Sequence, residues 1–252
     1  MAIQLGSSNI SNIYIGDINV EKVFLGNSLV YSKTVSQYVT DGLCAYYDLT
    51  QFDIGNTVIQ DLSGNNKTMT VGHIGAMCTK DSKGGLAAND NVNIYTNDMG
   101  LTTTTATLEW YSTPNNISNA WENRTCGISG DNGDGFFLWV ASSGSDIRVC
   151  PVKNGTGLGD EVITCSLPSN EPSHFVITFG ETEYNIYINK NLITSGTCNA
   201  NAGNNCIYRL ANASAGTNVN HTLYSARIYN RVLTPEEINI NYQFEYNKFL
   251  NS

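Results

Sequence analysis

Close acidic pairs of this chain include Glu181/Glu183, Asp131/Asp134 and Asp160/Glu161. Two carboxylates about 5–5.5 Å apart can cleave a glycosidic bond with retention. On one strand they must stand at i and i+2 or i+4 and face the same way. Glu181 and Glu183 come just after an apolar run, at Gly180, and read as hairpin charges. Asp131 and Asp134 lie in the Gly-rich turn 129–135, and Asp160 and Glu161 follow another Gly-rich turn. Glu109 alternates within Thr107-Leu108-Glu109-Trp110-Tyr111 and could face a groove, but it has no partner nearby in sequence. His73, His174 and His221 are widely scattered. No Ser/His/Asp or Cys/His group stands together locally, and partners distant in sequence stay open. The expectation is that the chain is not an enzyme.

Sugar recognition asks for different groups. A sugar's apolar face stacks on an aromatic ring, and its hydroxyls need planar polar partners. Trp121 and Tyr111 supply rings, and Asn115, Asn116 and Asn119 supply amides, for a candidate carbohydrate site. Trp121 stands outside a clear strand alternation, as a loop platform would; the competing reading has it covering the core edge. Trp110 and Trp139 sit within strand patterns and are assigned to the core. The oxygen-rich stretch 129–135 would suit a hard cation such as calcium. It lacks the Asp-x-Asp/Asn-x-Asp/Asn-Gly order and reads as a solvated hairpin turn before a strand at 136–140. No cofactor is expected, and metal ligands stay unassigned.

These groups need a scaffold, and the stretch 221–238 is the clearest sign of one. An apolar, β-prone run ends in Tyr229-Asn230-Arg231, and Thr234-Pro235-Glu236-Glu237 follows. Thr234 can cap a helix, and Pro235 suits its first position, where an N–H would be unpaired anyway. Glu237 completes a capping box, and both glutamates favour the positive end of the helix dipole. A strand is therefore followed at once by a short helix, with Ile238, Tyr242 and Phe249 at helical spacing.

The wording Tyr224-Ser225-Ala226-Arg227-Ile228-Tyr229-Asn230-Arg231, then Leu233-Thr234 and Glu236-Glu237-Ile238, then Asn241-Tyr242, resembles the closing segment of the laminin-G-like, concanavalin A-like sandwich family. It looks most like versions in bacteriophage and prophage structural proteins. Asp61-Leu-Ser-Gly-Asn-Asn66 is similar to the family's early Asp-x-Ser-Gly-Asn turn, and Thr107–Tyr111 to its central strand. His174-Phe175-Val176-Ile177-Thr178 and Tyr187-Ile188-Asn189 resemble its His-x-Val-x-Thr strand and Tyr-x-Asn-Gly hairpin. Lys190 replaces the hairpin's glycine, so a turn of another type is expected there. The likeness covers roughly residues 41 to 252. It implies an all-β, antiparallel two-sheet concanavalin A-like jelly-roll sandwich, with one short C-terminal helix. Relatives of this fold include glucan hydrolases, but their Glu-x-Asp-x-x-Glu pattern is missing here.

The first 33 residues form a second unit. Residues 13–20 read Ile-Tyr-Ile-Gly-Asp-Ile-Asn-Val, and 23–30 read Val-Phe-Leu-Gly-Asn-Ser-Leu-Val. Each is an apolar triplet, a Gly-polar turn and an apolar resumption. Gly-Asp and Gly-Asn supply the positive φ of a tight hairpin. A small β-meander with turns at Gly16 and Gly26 is expected over 1–33, then a linker over 34–40 and the sandwich over 41–252. Such a meander is too small to bury its own core. Val23, Phe24, Leu25, Leu29 and Val30 therefore lean on the sandwich, on a second copy or on another protein. The module also resembles short elements at the ends of phage appendage proteins, which implies attachment or assembly.

Composition sets further bounds. Only 14% of residues are charged, and 13 Lys and Arg against 22 Asp and Glu give a net charge of −9. No basic cluster exists to engage nucleic-acid phosphates. Neither a secretory leader nor a run long enough to span a bilayer is read. Seven cysteines cannot all pair within one chain, and no Cys-x-x-Cys zinc pattern occurs, so buried reduced thiols are expected. Cys198 and Cys206, flanking an Asn/Gly-rich loop, are the best disulfide candidates. The combined expectation is a virion structural protein (head fibre, decoration or tail appendage) made in bacterial cytoplasm. Its partners would be other virion proteins, copies of itself in a homo-oligomer and host surface glycan. A receptor-binding lectin and a glycan depolymerase remain as alternatives.

Overall fold

The computed structural model describes residues 37–72, 78–88, 93–96, 105–114, 171–197, 207–212 and 221–250, and elsewhere the strands named below. Side chains are described for 37–72, 78–87, 94–96, 105–113, 171–197, 208, 210 and 222–249. The chain divides into two compact units, 1–38 with 240–252, and 39–239.

Among the described residues of the first unit, six short strands pair in antiparallel twos. They are β1 (Gln4–Leu5) with β2 (Ser8–Asn9), β3 (Ile13–Ile15) with β4 (Ile18–Val20), and β5 (Lys22–Leu25) with β6 (Ser28–Ser32). The repeat in the sequence is thus a repeat of hairpins, with β3/β4 flanking Gly16 and β5/β6 flanking Gly26. The side chains of Val23, Phe24, Leu25, Leu29 and Val30 lie outside the described residues.

The second unit is an antiparallel two-sheet sandwich. Among the described residues, one sheet holds eight strands: β7 (Leu43–Asp48), β10 (Cys78–Lys80), β11 (Leu86–Ala88), β13 (Ala106–Pro114), β19 (Ser173–Phe179), β20 (Glu183–Ile188), β21 (Asn191–Thr197) and β23 (His221–Tyr229). The other holds nine: β8 (Val58–Ile59), β9 (Met69–Gly72), β12 (Asn93–Thr96), β14 (Arg124–Ser129), β15 (Gly135–Val140), β16 (Asp146–Lys153), β17 (Thr156–Gly157), β18 (Glu161–Thr164) and β22 (Ile207–Asn212). In the first sheet β13 is central, paired with β19 on one side and β23 on the other.

Alternation along β13 explains the layering. Ala106, Leu108 and Trp110 face inward with Phe175, Ile177 and Phe179 of β19 and Ala226 and Ile228 of β23. Met69, Val71, Ile94, Tyr208 and Leu210 complete this core from the second sheet. Trp110 stacks on its register partner Phe175, with ring centroids 5.4 Å apart. The opposite face of the same sheet is buried too: every residue of β19 is buried. There Val176, Tyr187 and Tyr229 join Leu233 and Ile238, with Val39 and Leu43 packed against them.

The expected helix is α1 (Pro235–Leu250). Its capping box forms as read: the Glu237 N–H donates to Thr234 Oγ1 at 3.3 Å, and the Thr234 N–H donates to Glu237 Oε2 at 2.9 Å. Arg231 adds two charge-assisted bonds to the Glu237 carboxylate, at 2.8 and 2.7 Å. Those bonds outweigh the effect of burial and hold the Glu237 carboxyl at about 2. Thr107 Oγ1 ties this corner to the central strand, accepting from the Leu233 N–H and donating to the Arg231 carbonyl. Among the described residues no helix is long and apolar enough to cross a membrane.

The Asp61 turn is organised by its carboxylate, which accepts the N–H groups of Tyr46, Ser63 and Lys67 at 2.8–3.0 Å. Burial opposes the charge, but these donors keep the carboxyl below its ordinary range. Cys44 and Cys78 are free thiols, and burial pushes both thiols' pKa up. The other five cysteine side chains lie outside the described residues.

The β20–β21 hairpin corrects one expectation. A turn of another type was anticipated because Lys190 replaces glycine. Instead Asn189 and Lys190 both take positive φ, 46° and 67°, the pattern of a two-residue type I′ turn. The strand twist and the Asn189 bonds impose it: Asn189 Oδ1 accepts the His174 N–H at 2.9 Å, and the Asn189 N–H donates to the His174 carbonyl at 2.8 Å. Lys190 therefore bears a left-handed backbone that costs a side-chain-bearing residue roughly 1 kcal/mol. Lys190→Gly should stabilise the protein by up to about 1 kcal/mol in urea unfolding; an unchanged or lower midpoint would contradict this.

Candidate functional site

Of the expected carbohydrate residues, Asn115, Asn116, Asn119 and Trp121 lie outside the described residues. Tyr111 is described and is 3% exposed on the outward-facing side of β13, beside the rings of His174 and Tyr224. Its ring offers no open face for stacking, because the sheet is buried on both faces at β13 and β19. Trp110, assigned to the core, is 1% exposed there. Glu181 and Glu183 flank the tight β19–β20 turn and are exposed. Positions 130–134 of the calcium candidate lie outside the described residues. Among the described residues no group of three or more His, Cys, Asp or Glu is arranged to hold a metal ion.

The structure brings forward a groove that sequence reasoning passed over. It has a volume of about 580 Å³ and lies along residues 48–62, where the chain crosses from β7 in one sheet to β8 in the other. Its frame is fixed by short bonds. Asp48 caps the 3₁₀ turn Leu49–Gln51 by accepting from the Thr50 N–H (3.1 Å), Thr50 Oγ1 (2.6 Å) and Gln51 Nε2 (2.8 Å). Phe52, 7% exposed, anchors the following residues in the core. The Asn56 N–H donates to the Asp53 carbonyl at 3.1 Å, closing a turn in which Gly55 takes a φ of 115°. Lys80 braces the frame from β10: its Nζ donates to the carbonyls of Leu49 (2.6 Å), Gly84 (2.9 Å) and Thr50 (3.3 Å). Burial draws the Lys80 pKa down, against the pull of Asp48, Asp53 and Asp81. The signal in the sequence was faint: an ordinary polar loop without an aromatic platform.

A second constellation gathers polar side chains from three distant segments. Glu109 Oε1 accepts from Arg227 Nη1 at 2.6 Å, and Glu109 Oε2 lies 3.5 Å from His174 Nε2. All three side chains are 1% exposed or less. The Arg227 guanidinium also lies over the Tyr46 ring, 4.5 Å from its centroid. Register explains the meeting: Tyr46, Arg227 and Glu109 are direct partners across β7, β23 and β13, and Tyr111 pairs with His174 on the next rung. Glu109 thus has partners after all, 65 and 118 positions away. Burial would raise its pKa, but Arg227 and His174 prevail and hold the carboxyl at about 2, against an ordinary 4.5. A permanently ionised carboxylate, closed off from water, is suited to holding a sheet rather than to proton transfer.

Glu109→Gln leaves the Arg227 charge buried and uncompensated, which should cost about 3–5 kcal/mol in urea unfolding at pH 7. The depressed pKa means that this stabilisation is complete above about pH 4.5 and fades as pH falls towards 2. The gap between wild type and variant should therefore close over that range; a gap independent of pH would contradict the ion-pair assignment.

The fold has many solved counterparts. Domain 4 of AbnA, a GH43 extracellular arabinanase from Geobacillus stearothermophilus solved with arabinotriose, is 17% identical with a TM-score of 0.58, over 78% of this chain and 96% of that one. The botulinum neurotoxin serotype D binding domain is 14% identical with a TM-score of 0.62, over 82% of this chain and 52% of that one. Trypanosoma rangeli sialidase in complex with sialic acid is 13% identical with a TM-score of 0.61, over 91% and 36%. The chain thus spans about half of the toxin domain and about a third of the sialidase. No curated protein sequence matches it. Residues 85–239 match the laminin-G family model described as the concanavalin A-like lectin/glucanases superfamily, and the chain belongs to that superfamily.

Proposed function

We propose that this protein is a non-catalytic glycan-recognition module displayed on a bacteriophage particle. The observation that carries the recognition reading is the sandwich itself. Its counterparts include a nearly whole-length match to an arabinanase domain holding arabinotriose, a toxin binding domain and a sialidase bound to sialic acid. The non-catalytic reading is supported by Glu109, the carboxylate inside the central strand β13. It is committed to Arg227 and His174 and removed from solvent.

The phage setting rests on sequence wording alone: the closing segment 224–242 and the hairpin repeat of residues 13–30. In this reading the N-terminal hairpins attach the module to other virion proteins through Val23, Phe24, Leu25, Leu29 and Val30. The sandwich faces the host. Trp121 with Asn115, Asn116 and Asn119 contributes one contact surface. Individual domains bind weakly, because shallow hydrogen bonds exchanged with water gain little, and many copies supply avidity.

The purified chain should bind oligosaccharides on a glycan array that includes arabinotriose, without shortening any of them. Trp121→Ala should weaken that binding several-fold and leave the melting temperature unchanged. Shortened oligosaccharide would favour a depolymerase, and an array without signal would contradict recognition. In phage particles carrying the protein, deletion of residues 1–33 should abolish incorporation; normal incorporation would contradict the attachment role.

A further inference from the structure

Within the glycan-recognition reading, on which this inference rests, we propose that the groove along residues 51–62 is a second saccharide site, and that it takes neutral, hydroxyl-rich sugars. The first argument is unused hydrogen-bonding capacity. Asp53, Asn56 and Gln60 line the groove, are exposed, and spend none of their side-chain polar atoms on other described residues. Three planar amide or carboxylate groups facing one concavity match the vicinal hydroxyls of a pyranose or furanose ring.

The second argument is apolar surface at the same place. Val58 and Leu62 line the groove and are 39% and 44% exposed. They offer the C–H face of a sugar a surface beside the polar groups, the mixture typical of small-molecule sites. At about 580 Å³ the groove falls within the size range of such sites.

The third argument is rigidity. Asp48 and Lys80 hold the floor through six hydrogen bonds, so little ordering remains to be done when a ligand arrives.

Charge selects the class of sugar. Among the described residues, the groove lining holds Asp48 and Asp53 and no basic side chain. The Lys80 ammonium, which braces residues 49 and 50, is engaged by three carbonyls. The whole chain carries −9. A uronic or sialic acid carboxylate would meet like charge here, whereas a neutral sugar meets acceptors and amides that fit its hydroxyls.

The test is titration of the purified full chain with neutral oligosaccharides found on the array and with uronic- and sialic-acid-containing oligosaccharides of equal length. The partner measurement is an amide chemical-shift map of each titration. Neutral ligands should bind and shift signals of residues 51–62, and acidic ones should leave those residues unshifted. Asn56→Ala combined with Gln60→Ala should weaken neutral binding by at least about tenfold with an unchanged melting temperature, since neither side chain is bonded to another described residue. Tight acidic binding in the groove would overturn the sugar class. Neutral binding that survives the double variant but is lost in Trp121→Ala, with no shifts at 51–62, would overturn the groove while leaving glycan recognition standing. No binding by the wild type would overturn both.

Discussion

The buried pair of Glu109 and Arg227 is the constraint on which the rest of the sandwich depends. It joins the middle strand of the chain to its last strand, 118 residues apart, inside a layer that water does not reach. Two buried charges are costly to desolvate, and only good geometry with further partners offsets that cost. Here the geometry is a direct register pair, with His174 on the second carboxylate oxygen and the Tyr46 ring beneath the guanidinium. A slip of one residue in β13 or β23 would turn either charge into the apolar core between the sheets. The pair therefore fixes register as well as joining strands. With the register fixed, Thr107 meets Arg231 and Leu233, and the corner that starts the helix falls into place.

This explains why the segments that resemble the family are the ones they are. Glu109 belongs to the central-strand wording, His174 to the His-x-Val-x-Thr strand and Arg227 to the closing segment. In sequence they are scattered polar residues without a common purpose. In the fold they are one cluster. Asp61, Asn189 and the Arg231–Glu237 pair play comparable parts at three corners, each satisfying backbone groups that turns leave open. The charged and amide residues of these motifs thus serve architecture.

What could be read in advance was local. The capping box at Thr234 and Glu237, the strand before it and the period-two core of β13 follow from neighbouring residues, and they appear as read. What could not be read was convergence. Glu109 looked unpaired because its partners arrive from two other strands. Tyr111 looked available because alternation tells which residues share a face, not whether that face is wet; around β13 and β19 both faces are buried. Lys190 misled for the opposite reason: the strand twist and Asn189 together impose a glycine-like turn on a lysine. The groove of residues 48–62 was invisible because its walls come from a 3₁₀ turn, a tight loop and a two-residue strand, none with a sequence period, and because a lysine on β10 braces it from outside the segment.

The central claim is that these buried charges build the scaffold and take no part in the proposed glycan recognition. A double-mutant cycle on Glu109→Leu and Arg227→Met, read by both urea unfolding and oligosaccharide titration, tests it most directly. Each single variant should be strongly destabilised. The double variant should recover much of the loss, with a coupling of at least about 2 kcal/mol, and should bind oligosaccharide as the wild type does. Additive losses in stability, or a well-folded double variant that no longer binds sugar, would contradict the claim and place the pair within the recognition site itself.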